Sequence, residues 1–305
     1  LDALMPNYVS TGPGDDCAVF SVPSEKSLCV STDTLLAGVH FPLDAAPEVV
    51  ATRAFGANLS DLAAMGAEPY AATVALTIPS GDADWLGRFS AASRTCSELH
   101  RCPVVGGNLA KGALSITLTV MGVVPDGTAL LRSGAGIEDD IYVSGFLGDS
   151  AGAVKQLGRD DANADLLGRY QNPEPRLRLG AELLGVASAA IDISDGFVSD
   201  LGHLVESSGV SAVINRSQIP VSNMLVKVFG RAVALDLALN GGDDYELCFT
   251  AAQEYRDQIN AIGKQLDLNL SRLGEIVSKR HSVSGARIVD ADGQEIEAAG
   301  YRHFL

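Results

Sequence analysis

Apolar and polar positions alternate in short blocks along the 305 residues, and each block predicts an element. Residues 28–31 read as a buried strand running into a turn at Ser31-Thr32-Asp33-Thr34. A helix follows over 47–66, with Pro47 suited to its first turn and Gly66 to its end. Residues 71–78 form a strand closed by Pro79, and residues 83–100 a helix. Residues 102–105 make a short strand before a turn at Gly106-Gly107-Asn108, and a longer strand covers 114–124. The Gly-rich polar stretch 131–140 marks a domain boundary, giving domains at 1–135 and 136–305. Beyond it come a strand at 141–145, a glycine turn and a helix from about Ser150. Residues 159–175 are polar and hold Pro173 and Pro175, so they read as a loop or an irregular helical segment. Helices are expected at 176–187, 197–208, 231–239 and 253–265, and strands at 189–193, 210–215, 245–250, 271–277 and 285–290. Ala291-Asp292-Gly293 marks a late hairpin. Neither half keeps a βαβ cadence, which favours two α+β domains over one doubly wound sheet.

With 47% hydrophobic and 20% charged residues, the chain can bury a sizeable core and is not disordered. A net charge of −16 disfavours a nucleic-acid or anionic-membrane partner. The same charge repels phosphates: two like charges ~4 Å apart cost on the order of 4 kcal/mol at an effective dielectric of ~20. If this chain binds phosphates, cations must reverse the local sign. Its five cysteines include no C-x-x-C pair, so zinc and disulfide frameworks are improbable and a cytoplasmic setting is expected. No apolar run reaches membrane-spanning length, and no signal peptide is visible.

Acidic signatures recur beside Gly, Ser or Thr at 14–20, 31–41, 58–69, 191–204 and 241–250. Carboxylates beside strand ends cost stability unless a cation meets them, and Mg²⁺ takes oxygen ligands and bridges phosphates. Asp15 and Asp16 fit a charged turn or a cation site equally. Alternation puts Ser31 and Asp33 on one side of their strand; helix capping is the plainer reading of Asp33 or Thr34. His40 has no local assignment. Asn58 and Asp61 lie three apart on one helix face, and the apolar neighbours of Asp61 leave its carboxylate wanting a partner. Asp192 and Ser194 alternate onto one strand face, and Asp195 opens a helix. Asp243, Asp244 and Glu246 follow Gly241 and Gly242, which permit a close approach to a ligand or an ordinary hairpin entry. Gly145–Ser150 follows a strand and opens a helix, so its amides suit an anion, but it is not a dinucleotide fingerprint. Residues 106–112 lack the G-K-[ST] of a P-loop, and no G-x-S-x-G elbow occurs.

Taken together, STDTLLAGVHF, NLSDLAAMGAEP, LRSGA, ISDG, SDLGH and GGDDYELCFT resemble, in wording and order, the thiamine-monophosphate kinase family. The resemblance runs from about Gly14 to Phe304. The wider superfamily includes aminoimidazole ribonucleotide synthetase, selenophosphate synthetase and a hydrogenase maturation protein. It implies two α+β domains, an ATP site between them, and a homodimer whose N-terminal sheets pair into a barrel. The N-terminal domain would then bind metal and ATP and dimerise. The implied reaction is ATP plus thiamine monophosphate giving ADP plus thiamine diphosphate, with several Mg²⁺ ions. Metal ligands carry over to Asp16, Ser31, Thr32, Asp33, Asp61, Asp192 and Asp195. ATP contacts carry over to Gly107, Asn108, Arg132 and Ser194, and substrate contacts to His40, Asp243 and Tyr301.

The acceptor is already a phosphate monoester whose oxygen is anionic near neutral pH. No general base and no covalent intermediate are expected, only alignment and neutralisation. One position departs from the family, whose nucleotide turn reads G-G-D where this chain has Gly106-Gly107-Asn108. An amide offers a carbonyl oxygen without charge, which weakens one metal position. Asn108→Asp is expected to lower the Mg²⁺ requirement, and an unchanged Mg²⁺ titration counts against this. The alternatives are another ATP-dependent synthetase of the superfamily or a non-catalytic nucleotide- or metal-binding protein. A selenophosphate synthetase would want a reactive Cys in a Gly-rich loop, whereas Cys17 and Cys29 read as members of apolar strands.

Overall fold

A computed structural model describes residues 5–279 and 288–300, which divide into two compact units. Unit 1 comprises residues up to Leu62 together with Ala67–Ala129; unit 2 comprises Ala63–Gly66 and the residues from Leu130 onward.

Unit 1 starts with a small antiparallel pair, β1 (Val9–Thr11) and β2 (Val19–Phe20). Its main elements are β3 (Lys26–Leu36), α1 (Pro47–Ala64), β4 (Glu68–Ile78), α2 (Ala83–Leu99), β5 (Val104–Lys111) and β6 (Ser115–Pro125). The sheet order is β3-β6-β4-β5, with β4 and β5 parallel and the other pairs antiparallel. Val50, Phe55, Leu59 and Leu62 of α1 and Ile116, Leu118 and Val120 of β6 are buried and form the core. Asp82 caps α2, its Oδ1 accepting from the amides of Asp84 and Trp85 at 3.0 and 3.1 Å.

Two expected turns are strand instead. The Ser31–Thr34 segment lies mid-strand in β3, paired residue for residue with β6. Thr32 bonds Thr119 at 2.9 Å and Thr34 bonds Thr117 at 2.8 Å through their hydroxyls, so polar side chains are satisfied across the ladder. Likewise Gly106 to Asn108 continue β5 beside β4. A Cβ at Gly107 would sit 2.0 Å from the Val74 carbonyl oxygen, so glycine serves close strand packing there, not a turn. Nor is β3 buried: Leu28, Val30, Thr32, Thr34 and Leu36 of one face are exposed, while Leu35 of the other is buried. Cys17 lies in an exposed bend, not in a strand.

Unit 2 contains β7 (Asp140–Ser144), α3 (Asp149–Val154), α4 (Ala164–Gln171), α5 (Leu177–Glu182), β8 (Ala189–Asp192), α6 (Phe197–Ser208) and β9 (Ser211–Ile214). There follow α7 (Asn223–Phe229), α8 (Arg231–Asn240), β10 (Leu247–Ala251), α9 (Arg256–Leu266), β11 (Leu270–Val277) and β12 (Ile288–Asp290). The sheet order is β12-β9-β11-β7-β10-β8, antiparallel except for β12 against β9. Alternation serves two cores. Ile141, Val143, Ile191 and Cys248 pack with Phe197, Leu201 and Leu204 of α6. Tyr142, Ala190, Leu247 and Phe249 pack with Leu179 and Leu183 on one side of the chain and Ile259 and Ile262 of α9. The mixed, mostly antiparallel sheets bear out the α+β class. Residues 159–175, expected as a loop or an irregular helical segment, contain the helix α4, and α7 lies where no helix was expected. The late hairpin is present: Gly293 adopts φ 79°, and the Asp290 amide donates to the Gln294 carbonyl at 2.8 Å.

Candidate active site

In unit 1, α1 reaches β3 through two polar side chains three residues apart. The Asn58 Oδ1, fully buried, accepts the Asp33 amide at 2.9 Å, and its Nδ2 donates to the Ala54 carbonyl at 2.9 Å. The Ser31 hydroxyl donates to Asp61 Oδ2 at 2.5 Å. A strand hydroxyl is therefore one partner of the Asp61 carboxylate on its apolar helix. By alternation Ser31 and Asp33 share the face toward α1, and Asp33 pairs with buried Leu118. Thr32 points its hydroxyl to the opposite face, where it bonds Thr119. Asn108 lies in register with Ala75, and Ala75 with Thr117, so Asn108 shares that opposite face. Gly107 pairs with Val74 and Val74 with Leu118, which places Gly107 on the Asp33 face.

Asp16 lies in an exposed bend, its amide donating to Asp15 Oδ1 at 2.8 Å. His40 closes a turn after β3: its Nδ1 accepts the Leu36 amide at 3.0 Å and its own amide donates to the Leu36 carbonyl at 2.9 Å. With Nδ1 an acceptor, the neutral ring carries its proton on Nε2.

In unit 2, β8 stops at Asp192, which is 5% exposed. Ser194 is exposed and outside the strand, so the expected alternation of Asp192 with Ser194 does not hold. Asp195 does not open the helix either: α6 begins at Phe197 after Gly196, whose φ is 120°. The chain turns instead around Asp200. Its Oδ2 accepts the amides of Ser194, Asp195 and Gly196 at 3.0, 3.1 and 3.1 Å. Burial pushes the Asp200 carboxyl up to about 7; the Asp195 charge adds to the rise, and the three amides oppose it. Sequence reasoning passed over Asp200. Its signal is a carboxylate in the first helical turn, able to reach back to the preceding amides.

The GGDDYE segment lies along this turn. The Asp243 and Tyr245 amides donate to the carbonyls of Ser194 and Ile193, and the Ile193 amide donates to that of Glu246, each at 2.8 Å. Gly242 packs so tightly that a Cβ would fall 2.3 Å from the Ser194 carbonyl oxygen. The glycines thus serve contact with the neighbouring loop. Asp243 and Tyr245 both adopt left-handed backbone, φ 69° and 51°. Asp244 turns to the loop after β7, where the Gly148 amide meets its two oxygens at 3.0 and 2.8 Å. Of the Gly145–Ser150 amides that suited an anion, that of Gly148 is taken by the chain's own Asp244 carboxyl. Loss of hydration raises the Asp244 pKa well above the carboxylate range, the Gly148 amide opposing and nearby Glu246, Asp149 and Asp243 adding to the rise. Glu246 makes a bidentate pair with Arg176 at 2.7 and 2.5 Å and accepts from the Ser144 hydroxyl at 2.5 Å. Arg132 is exposed, its carbonyl accepting from the Ser208 hydroxyl at 3.1 Å. Tyr301 lies outside the described residues.

As a cation site the unit 1 donors are chemically apt: Ser31, Asp33 and Asp61 offer only oxygens, as Mg²⁺ requires. Among the described residues, however, no three His, Cys, Asp or Glu side chains converge as a metal cluster. No helix among them is long and apolar enough to cross a membrane.

Comparison with known proteins fits this arrangement. Residues 14–124 match the N-terminal domain of AIR synthase related protein, and residues 126–286 match its C-terminal domain. Thiamine-monophosphate kinase of Haemophilus influenzae is 39% identical over 307 aligned positions, covering 99% of this chain and 94% of that protein. The crystal structure of thiamine-monophosphate kinase from Stenotrophomonas maltophilia superposes with a TM-score of 0.90 at 38% identity, covering 96% of this chain and 94% of that one. The structure of AaThiL complexed with AMPPCP and TMP gives a TM-score of 0.83 at 30% identity, covering 93% and 89%. With these matches over nearly its whole length, the chain belongs to the thiamine-monophosphate kinase family of AIR-synthase-related proteins.

Proposed function

We propose that this chain transfers the γ-phosphoryl group of ATP directly to the phosphate of thiamine monophosphate, giving thiamine diphosphate and ADP. The observation that carries the reading is similarity over nearly the full length to kinases of that name, one of them complexed with AMPPCP and TMP. In unit 1, Ser31, Asp33 and Asp61, with Asp16 and Thr32, would hold Mg²⁺; in unit 2, Asp192 and Asp195 would do so. Several Mg²⁺ ions there would supply the positive charge that a chain of net charge −16 needs around two phosphates.

Gly107, Asn108, Arg132 and Ser194 are the proposed ATP contacts. Arg132 suits a phosphate through its planar fork of donors. His40, with its proton on Nε2, suits an oxygen of thiamine monophosphate, Asp243 the positive charge of the thiamine ring, and Tyr301 stacking on the rings. No residue needs to act as a general base, because the attacking phosphate oxygen is already ionised. The work left to the protein is in-line positioning and exclusion of water.

The test is ADP release with ATP and Mg²⁺, with and without thiamine monophosphate. ADP that depends on the acceptor is expected; its absence rejects the kinase reading.

Association of two copies through the unit 1 sheet is part of the same proposal. Its open face carries Leu28, Val30 and Leu36 at 40%, 58% and 42% exposure, an apolar edge that a second copy would cover. Light scattering is expected to give twice the chain mass, and a monomer at working concentration rules this out. A cytoplasmic setting accords with five cysteines that are all free thiols.

A further inference from the structure

Asp243 is held more tightly than a contact residue on a loop needs to be. Its backbone is left-handed, as is that of Tyr245 two residues on, and neither is glycine. Non-glycine residues in that region persist only where their surroundings enforce it. Here the amides of both are tied to carbonyls of the 193–194 loop, at 2.8 Å each. The double reversal turns Tyr245 back on Asp243, so that the phenol hydroxyl donates to Asp243 Oδ1 at 2.9 Å. The Tyr245 residue is only 9% exposed, so the donor cannot swing away. Asp244, between them, faces the opposite way and is occupied with the Gly148 amide.

We propose that Tyr245 is a positioning residue for the substrate: its hydroxyl fixes the plane of the Asp243 carboxylate in the orientation that meets the cationic ring of thiamine monophosphate. The inference rests on the reading of Asp243 as a substrate contact. The left-handed pair is the device that makes it possible. With extended backbone at 243 and 245, the two side chains would project from one strand face side by side, and the ring would not fold back onto the carboxylate.

The experiment compares Tyr245→Phe, Asp243→Asn and Asp243→Ala, alone and with Tyr245→Phe added to Asp243→Ala. Steady-state kinetics and calorimetric titration with thiamine monophosphate are the readouts. Tyr245→Phe is expected to raise KM and Kd for thiamine monophosphate about fivefold, the size of one ordinary hydrogen bond. KM for ATP, kcat and the thermal midpoint should stay within twofold or within error. Asp243→Asn should weaken thiamine monophosphate by more than Tyr245→Phe does, and Tyr245→Phe should add nothing in the Asp243→Ala background. If Asp243→Asn leaves thiamine monophosphate binding unchanged, the reading of Asp243 as a substrate contact fails, and the positioning role with it. If Asp243→Asn weakens binding but Tyr245→Phe does not, the positioning role alone fails. A Tyr245→Phe protein with a lowered thermal midpoint and equal losses for ATP and thiamine monophosphate shows a structural role and overturns the proposal.

Discussion

Asp61→Asn is expected to abolish nearly all turnover, leaving less than about a tenth of activity and, at the usual size of metal-ligand effects, about a hundredth or below. The change keeps the shape of the side chain, and its remaining oxygen can still accept from Ser31, so the fold should survive. What it removes is charge. The Ser31 hydroxyl stands 2.5 Å from Asp61 Oδ2, and Asp33 is tied to the same helix through Asn58 at 2.9 Å. A neutral side chain at 61 leaves this group with half its carboxylates. Initial rates across an Mg²⁺ series check the result, with circular dichroism confirming the fold. More than a tenth of wild-type activity at saturating Mg²⁺ would remove Asp61 from the proposed metal ligands.

The largest effect on stability is expected from Arg176→Ala. Glu246 is buried, and Arg176 grips both of its oxygens at 2.7 and 2.5 Å. Removing one partner strands a buried charge, which costs about 3–5 kcal/mol. The Ser144 hydroxyl, which bonds Glu246 at 2.5 Å and accepts the Leu247 amide at 2.9 Å, cannot compensate alone. The urea midpoint of Arg176→Ala should fall accordingly. The paired change Arg176→Met with Glu246→Met should fall less, because no charge is left without a partner. Equal losses in the two variants would mean that packing, not the stranded charge, sets the cost.

The parts of the fold legible in the sequence are those with local causes. Helix α6 runs over Phe197–Ser208, as expected, because its apolar period lies between Gly196 and Gly209, both with positive φ. The pairing of Asn58 with Asp61 on one face of α1 followed from their spacing alone. The misreadings have distant causes. Ser-Thr-Asp-Thr has turn composition, but partners 87 and 83 residues away keep its threonines in the ladder. Gly106 and Gly107 have turn composition too, yet the Val74 carbonyl decides their role. In the site, the spacing of acidic residues was visible, while the direction of each side chain was not. Asp200 and Asp244 resemble their acidic neighbours in the sequence, yet both face inward to backbone amides.

Strand β3 carries oxygen donors on one face and an exposed run of Leu28, Val30 and Leu36 on the other. A single inserted or deleted residue ahead of Ser31 would exchange the two sets at a stroke, sending Asp33 outward and Val30 toward α1. The segment should therefore tolerate substitutions far better than changes of length. It also sorts mutations by face: changes at Leu28, Val30 and Leu36 should alter self-association with little effect on phosphoryl transfer, and changes at Ser31 and Asp33 the reverse. Screening β3 for the two properties separately would let evolution or engineering adjust one without disturbing the other.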